Sequence, residues 1–184
     1  MPRPPRIQVV GGIYHINAGA IHEGRIFRDD ADRDHWLGLL AGVIKSFVWE
    51  CLMYCVLSTH FHLVIRLQAP TMASGMQYLN GRHAEWFNGR YERRGHAFGA
   101  RYHAVLVETP SHALEVCRYV PNNAVEAGLA PTAEEWPWSS FAATIGLEQR
   151  PDWLKPDWVL TLFGTNMATA RERYRSFVAE GLAR

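Results

Sequence analysis

Two apolar, β-leaning runs, residues 48–57 (VWECLMYCVL) and 61–67 (FHLVIRL), are separated by little more than Ser58, Thr59 and His60. A connection this short joins antiparallel neighbours and excludes the long crossover that parallel strands require, so the pair reads as a central hairpin. What flanks the hairpin sets the fold. Upstream, residues 6–17 (RIQVVGGIYHIN) read as a first strand, bulged at Gly11-Gly12. From Asp30 an acidic first turn leads into Trp36, Leu37, Leu39, Leu40, Val43, Ile44 and Phe47 at the three-and-four spacing of an amphipathic helix. Downstream, Met72, Met76, Leu79, Trp86 and Phe87 lie close to one helical stripe within residues 71–91, and residues 103–108 (HAVLVE) give a fourth strand. Thr109-Pro110 then supplies an N-cap and a first-turn proline for a third helix. Strand, helix, strand, strand, helix, strand is the order of an α+β, ferredoxin-like split β-α-β sandwich with an antiparallel sheet.

The 184 residues, 48% of them hydrophobic, suffice for one compact domain and fall short of two. Residues 1–128 are expected to form that domain. Residues 129–184, rich in tryptophan and proline and closing in a helix from about Ala168 to Ala183, read as a helical tail packed on it. No apolar run spans a bilayer and the opening MPRPPR lacks a secretory pattern, so a cytoplasmic protein with no membrane partner is expected. In that setting the odd set of Cys51, Cys55 and Cys117 is expected to stay reduced. Nineteen basic residues against eighteen acidic ones neither announce nor exclude a nucleic-acid partner. Clustering is more telling: residues 90–101 hold Arg90, Arg93, Arg94 and Arg101 against Glu92 alone. Without another signal, such a run reads as a solvated face.

Two short motifs carry chemistry. In His60-Phe61-His62, alternation along a strand sends both imidazoles to one face, where two neutral nitrogen ligands can share a divalent cation. In Tyr119-Val120-Pro121-Asn122-Asn123, a spacing of four brings phenol and amide to one side of a helix, although Pro121 is expected to kink it. A tyrosine oxygen is a competent covalent nucleophile toward phosphorus. A cation held by His60, His62 and the amide oxygen of Asn123 would polarise the phosphate, and mixed nitrogen and oxygen ligation suits Mg²⁺ or Mn²⁺. A competing reading joins Cys51 and Cys55, which share a face in strand periodicity, to the histidine pair as a zinc site. An apolar row in a core strand explains the cysteines better.

These residues resemble a known family, the REP-associated tyrosine transposases, relatives of the single-tyrosine HUH insertion-sequence transposases. The resemblance runs through RPPRIQVVGGIYHINAG, IFRDDADRDHW, LMYCVLSTHFHLVIR, FNGRYERRGHAFGARYHAVLVE, CRYVPNNAVEAGL and WPWSS. It implies a ferredoxin-like catalytic domain, Tyr119 as nucleophile, and His60, His62 and Asn123 as metal ligands. The implied activity is cleavage and rejoining of single-stranded DNA near palindromic hairpins through a 5′-phosphotyrosine. The alternative kept beside it is a non-catalytic hairpin-DNA-binding module derived from such an enzyme. Within the resemblance, Arg90, Arg93, Arg94 and Arg101 become phosphate contacts, Tyr91, Phe98 and Tyr102 divide between base stacking and core packing, and Arg3 and Arg6 form an arm toward a hairpin groove. A monomer is expected, with a dimer as the alternative. The chain departs from the family's common pattern at Ala18, Thr59, Ala124 and Glu126, where arginine, asparagine, proline and arginine are common.

Overall fold

The computed structural model describes residues 8–21 and 24–182, so Arg3 and Arg6 lie outside the described residues. Four strands, β1 (Ile13–Gly19), β2 (Trp49–Val56), β3 (His60–Leu67) and β4 (His103–Leu106), form one antiparallel sheet in the order β2-β3-β1-β4. With α1 (Asp30–Ser46) joining β1 to β2 and α2 (Met72–Arg90) joining β3 to β4, this is the α+β split β-α-β arrangement expected. The first strand starts later than expected. Gly11, at φ +79, makes a turn, yet its N–H still donates to the Leu67 carbonyl at 2.7 Å, so the ladder partner is kept.

Sheet alternation divides the core in two. Tyr14, Ile16, Phe61, Leu63 and Ile65 point to the face covered by α1 and α2, meeting Trp36, Leu40, Met76, Leu79 and Phe87. Asp29 caps α1 by accepting from the Asp32 N–H at 3.1 Å, which fixes where the helix begins. On α2, Gly75 faces the Trp49 ring so closely that any Cβ would collide with it. The Trp49 indole also donates to Thr71 Oγ1 at 3.0 Å, holding the helix start against β2.

The second face is covered by α3 (Pro110–Glu126) through Val116, Cys117, Val120 and Ala124. Pro121 was expected to kink this helix, but α3 runs unbroken past it. Proline lacks the N–H that would bond the carbonyl four residues back, which belongs to Cys117. The missing donor comes from the tail: the Tyr174 hydroxyl of α6 (Met167–Glu180) donates to the Cys117 carbonyl at 3.0 Å, and the Asn122 amide donates to the Val178 carbonyl at 2.9 Å. Beyond Glu126 the chain leaves the helix at Gly128, at φ +68, with the Leu129 N–H returning to the Ala124 carbonyl at 2.8 Å.

The rest of the tail closes the open edge of β2. A 3-10 turn (Ala133–Glu135) leads into the WPWSS stretch, α4 (Phe141–Ile145) and α5 (Asp157–Thr161). Val56 N–H bonds the Trp138 carbonyl at 2.9 Å, Tyr54 N–H bonds Ser140 Oγ at 2.9 Å, and Lys155 N–H bonds the Cys51 carbonyl at 2.7 Å. An edge that would invite another strand is thereby used up.

One sequence expectation fails in β2. The register slips between Cys51 and Met53, so Cys51 joins the α1/α2 core while Cys55 joins the α3 core. The bulge breaks the two-residue period on which a shared face depended. All three cysteines are free and buried, as expected of reduced thiols, and burial pushes the Cys55 thiol up to about 12.

If Tyr174 replaces the donor that Pro121 lacks, the two positions are coupled. Tyr174→Phe leaves a buried carbonyl unpaired and is expected to cost about 1–3 kcal/mol in urea unfolding. In a Pro121→Ala background, where a backbone N–H returns, the same change should cost measurably less; equal costs in both backgrounds would refute the compensation.

Candidate active site

Strand β3 delivers His60 and His62 to the α3 face of the sheet, together with the buried Val64. The turn before it is fixed from the other layer: the Ser58 carbonyl accepts from the N–H groups of Ile26 and Phe27, both at 3.1 Å, and Arg33 donates to Ser58 Oγ at 3.2 Å. Across the ladder, Gly19 stands opposite His60 and Asn17 opposite His62. A Cβ on Gly19 would meet the His60 Cβ at 3.1 Å, so glycine leaves room for the histidine backbone.

Helix α3 brings Tyr119 and Asn123 over these rings, four residues apart as the motif required. The Tyr119 ring meets His62 edge-on at 5.1 Å between centroids, and His60 and His62 lie 4.9 Å apart with their planes nearly perpendicular. Asn123 is buried beside His62 and its Nδ2 donates to the Tyr119 carbonyl at 2.7 Å, leaving Oδ1 as the end of the amide that acts on His62. Tyr119 itself is 41% exposed, whereas His62 is 3% exposed. A nucleophile must be reachable and a ligand must be held; the two residues differ in that sense.

Strand β1 also supplies a residue that lies outside both motifs. His15 shares the β1 face with Asn17, its Nε2 lies 3.0 Å from His62 Nδ1, and its ring stands 5.9 Å from Tyr119. Two-residue alternation in IYHIN would have placed it on this face once β1 was known to pair with β3.

Burial dominates the electrostatics. It lowers His62 to about 3, with the charges of His15 and His60 adding to the effect and the Asn123 amide opposing it. It lowers His15 to about 4, assisted by His112 and His103, and lowers His60 as well. All three are therefore neutral imidazoles at neutral pH, the form in which histidine binds metal. Among the described residues no three His, Cys, Asp or Glu side chains converge as a cage. The expected donor set is two imidazoles and an amide oxygen, and the donors fit: His62 Nε2 is buried with no hydrogen-bond partner among the described residues. Such an orphaned nitrogen is what a cation would satisfy.

Comparison with known proteins bears directly on this arrangement. Residues 8–123, from the approach to β1 through the histidine pair to Asn123, match the family described as Transposase IS200 like. The chain belongs to the IS200-like transposase family. A solved structure described as a REP-associated tyrosine transposase bound to a REP hairpin shares the fold, with a TM-score of 0.65 and 17% identity, over 84% of this chain and 92% of that one. No curated protein matches the chain. None of the helices among the described residues is long and apolar enough to cross a membrane.

The four arginines of residues 90–101 do not form one group. Arg90, at the end of α2, is held by Asp29 at 2.6 and 2.7 Å and by the fully buried Asp32 at 2.7 Å. That pairing joins the start of α1 to the end of α2, on the face of the sheet away from the histidines. Arg93 lies over the Phe87 ring at 5.5 Å. Arg94 and Arg101 are exposed, and Arg101 lines a groove of about 630 Å³ with His96, Phe98 and Tyr102. This loop runs beside the end of β1 that faces His60, since Gly99 N–H bonds the Gly19 carbonyl at 3.0 Å. Of the three aromatics in the segment, Tyr102 is core, Phe98 packs against Phe61, and Tyr91 donates its hydroxyl to Asp32 at 3.0 Å.

Because His15 and His62 titrate at about 6.5 once unfolded, the unfolded chain binds more protons below that pH, and stability falls as pH drops from about 6.5 toward about 4 for His15 and about 3 for His62. Proton NMR of the metal-free protein should show His62 and His15 midpoints below pH 5. A midpoint near 6.5 for either ring would mean that water reaches it freely.

Proposed function

We propose that the chain cleaves and rejoins single-stranded DNA next to palindromic hairpins, with Tyr119 as the covalent nucleophile. The observation that carries this reading is the placing of an exposed tyrosine against the buried, neutral His62, with His60 beside it on the same face. Tyr119 Oη would attack the scissile phosphorus, forming an Oη–P bond as the P–O3′ bond breaks. The phenolic proton leaves to solvent and the departing oxygen becomes a 3′-hydroxyl. Because the step exchanges one phosphodiester for another, a 3′-hydroxyl can reverse it and rejoin a strand.

His60, His62 and Asn123 would hold Mg²⁺ or Mn²⁺, whose chemistry is to polarise the phosphate and offset the charge that develops on it. Asn123 is tied to the Tyr119 carbonyl and pressed against His62, so one helical turn sets both nucleophile and amide. In this reading residues 1–128 and 129–184 act as one unit, a cytoplasmic monomer whose tail holds α3 over its own sheet through Tyr174 and Asn122. Arg93, Arg94 and Arg101 would contact DNA phosphates, as would Arg3 and Arg6. Arg90 could join them only by giving up Asp29 and Asp32.

The test is a labelled hairpin oligonucleotide with Mg²⁺ or Mn²⁺, resolved on a denaturing gel. Wild-type protein should give a covalent band that Tyr119→Phe and a chelator both abolish, while Tyr119→Phe keeps its DNA affinity. Removing a group that stabilises transition-state charge costs roughly 10²–10³-fold, the loss expected for His62→Ala. Binding to several hairpins with no covalent band would instead identify a non-catalytic hairpin binder. Arg94→Ala or Arg101→Ala should flatten the salt dependence of binding by about one unit of slope without altering the melting temperature. Arg90→Ala should lower the melting temperature. If all three behave alike, the division drawn between paired and free arginines is wrong.

A further inference from the structure

Each of the two candidate ligand rings has a hydrogen-bonding partner at Nδ1. His60 Nδ1 lies 2.8 Å from Thr59 Oγ1, and His62 Nδ1 lies 3.0 Å from His15 Nε2. In both rings the remaining nitrogen is Nε2, and in His62 that atom is buried with no partner among the described residues. We infer that His15 and Thr59 are positioning residues that hold His62 and His60 as Nδ1–H tautomers, so that both rings present an Nε2 lone pair to one divalent cation. This rests on the proposed reading of the site as a metal centre.

The donor and acceptor count leaves two tautomers for His62, of which only one can ligate through Nε2. A neutral imidazole has one N–H and one lone pair, so one of the two bonded nitrogens in the His15–His62 pair must donate. If His62 Nδ1 accepted, its proton would sit on the buried Nε2, with the neighbouring Asn123 amide as its acceptor, and the ring could not ligate. With His62 Nδ1 donating, Nε2 keeps its lone pair and His15 carries its own proton on Nδ1. The Thr59 hydroxyl can either donate to His60 Nδ1 or accept from it, and the arrangement that frees Nε2 to ligate is the one in which Thr59 Oγ1 accepts from Nδ1–H.

The backbone delivers these partners. His15 pairs with Val64 while Asn17 pairs with His62, so His15 and His62 are diagonal neighbours on one face of the β1–β3 ladder. Their rings sit 5.2 Å apart at 31°, and the β1 pairing leaves His15 little freedom to withdraw. The chemistry of the partner also matters. Ligating histidines are commonly oriented by a carboxylate or a carbonyl, and a carboxylate adds negative charge behind the metal. His15 is an imidazole, so it orients His62 without placing a carboxylate's negative charge behind the cation.

The experiment is titration of Mn²⁺ alone into the full chain, followed by electron paramagnetic resonance of the free ion, for wild type, His15→Ala, His15→Gln, Thr59→Val and Thr59→Ser. Loss of such an orienting partner typically weakens metal binding 10–100-fold, which is the loss expected for His15→Ala. His15→Gln, which returns an acceptor on a side chain of similar reach, should recover most of it. Thr59→Val should cost less than His15→Ala, because Thr59 is exposed and water can stand in for it, and Thr59→Ser should cost nothing. Nitrogen-15 NMR of the metal-free wild type should place the His62 proton on Nδ1, with the tautomers mixing in His15→Gln less than in His15→Ala. A folded His15→Ala protein with wild-type Mn²⁺ affinity, or a His62 proton on Nε2 in wild type, overturns the inference while leaving the metal centre intact. Wild-type protein that binds no Mn²⁺ overturns the metal centre and the inference with it. Should His15→Ala fail to fold, His15→Gln and the wild-type tautomer still decide the question.

Discussion

The antiparallel pairing of β3 with β1 and β2 is the constraint on which the site depends. Its register sends His60, His62 and Val64 to the α3 face and Phe61, Leu63 and Ile65 to the α1/α2 face. A slip of one residue would bury the histidines under α1 and α2 and strand the apolar row under α3. The register is therefore defended by both cores at once. The Ser58 turn, pinned by Ile26, Phe27 and Arg33, and the Gly19 gap opposite His60 set the last few ångströms.

The other half of the site comes from a helix with a flaw in it. Pro121 sits two residues past Tyr119 and leaves the Cys117 carbonyl without its helical partner. Tyr174 supplies that partner from α6, and in doing so makes the tail part of the scaffold that aims Tyr119. The same tail bonds the free edge of β2 through Trp138, Ser140 and Lys155, so one segment settles both the helix and the sheet. In this arrangement Tyr119 meets the histidines of its own chain.

Much of this was legible in the residues, and what was not has identifiable causes. The element order, the α1 start at Asp30, the helix start at Thr109-Pro110 and the shared face of His60 and His62 all follow from local periodicity and capping, which a sequence displays. The facing of Cys51 and Cys55 was misjudged because a bulge is an interruption of the period and carries no side-chain signature here. His15 was overlooked because its importance lies in which strand it pairs with, a long-range fact. Arg90 looked like one of four free cations because its partners, Asp29 and Asp32, are some sixty residues away in sequence. The expected kink at Pro121 misled for a related reason, since the group that compensates for it is 53 residues downstream, at Tyr174.

The central claim is that Tyr119 becomes covalently bonded to DNA, and mass spectrometry of the protein after incubation with a hairpin oligonucleotide and Mn²⁺ tests it most directly. After nuclease and protease digestion, the account requires a nucleotide attached through a 5′-phosphate to the peptide containing Tyr119, and to that residue within it. Attachment at another tyrosine, or cleaved DNA with every tyrosine unmodified, would contradict the account and point to a different nucleophile or to hydrolysis by water.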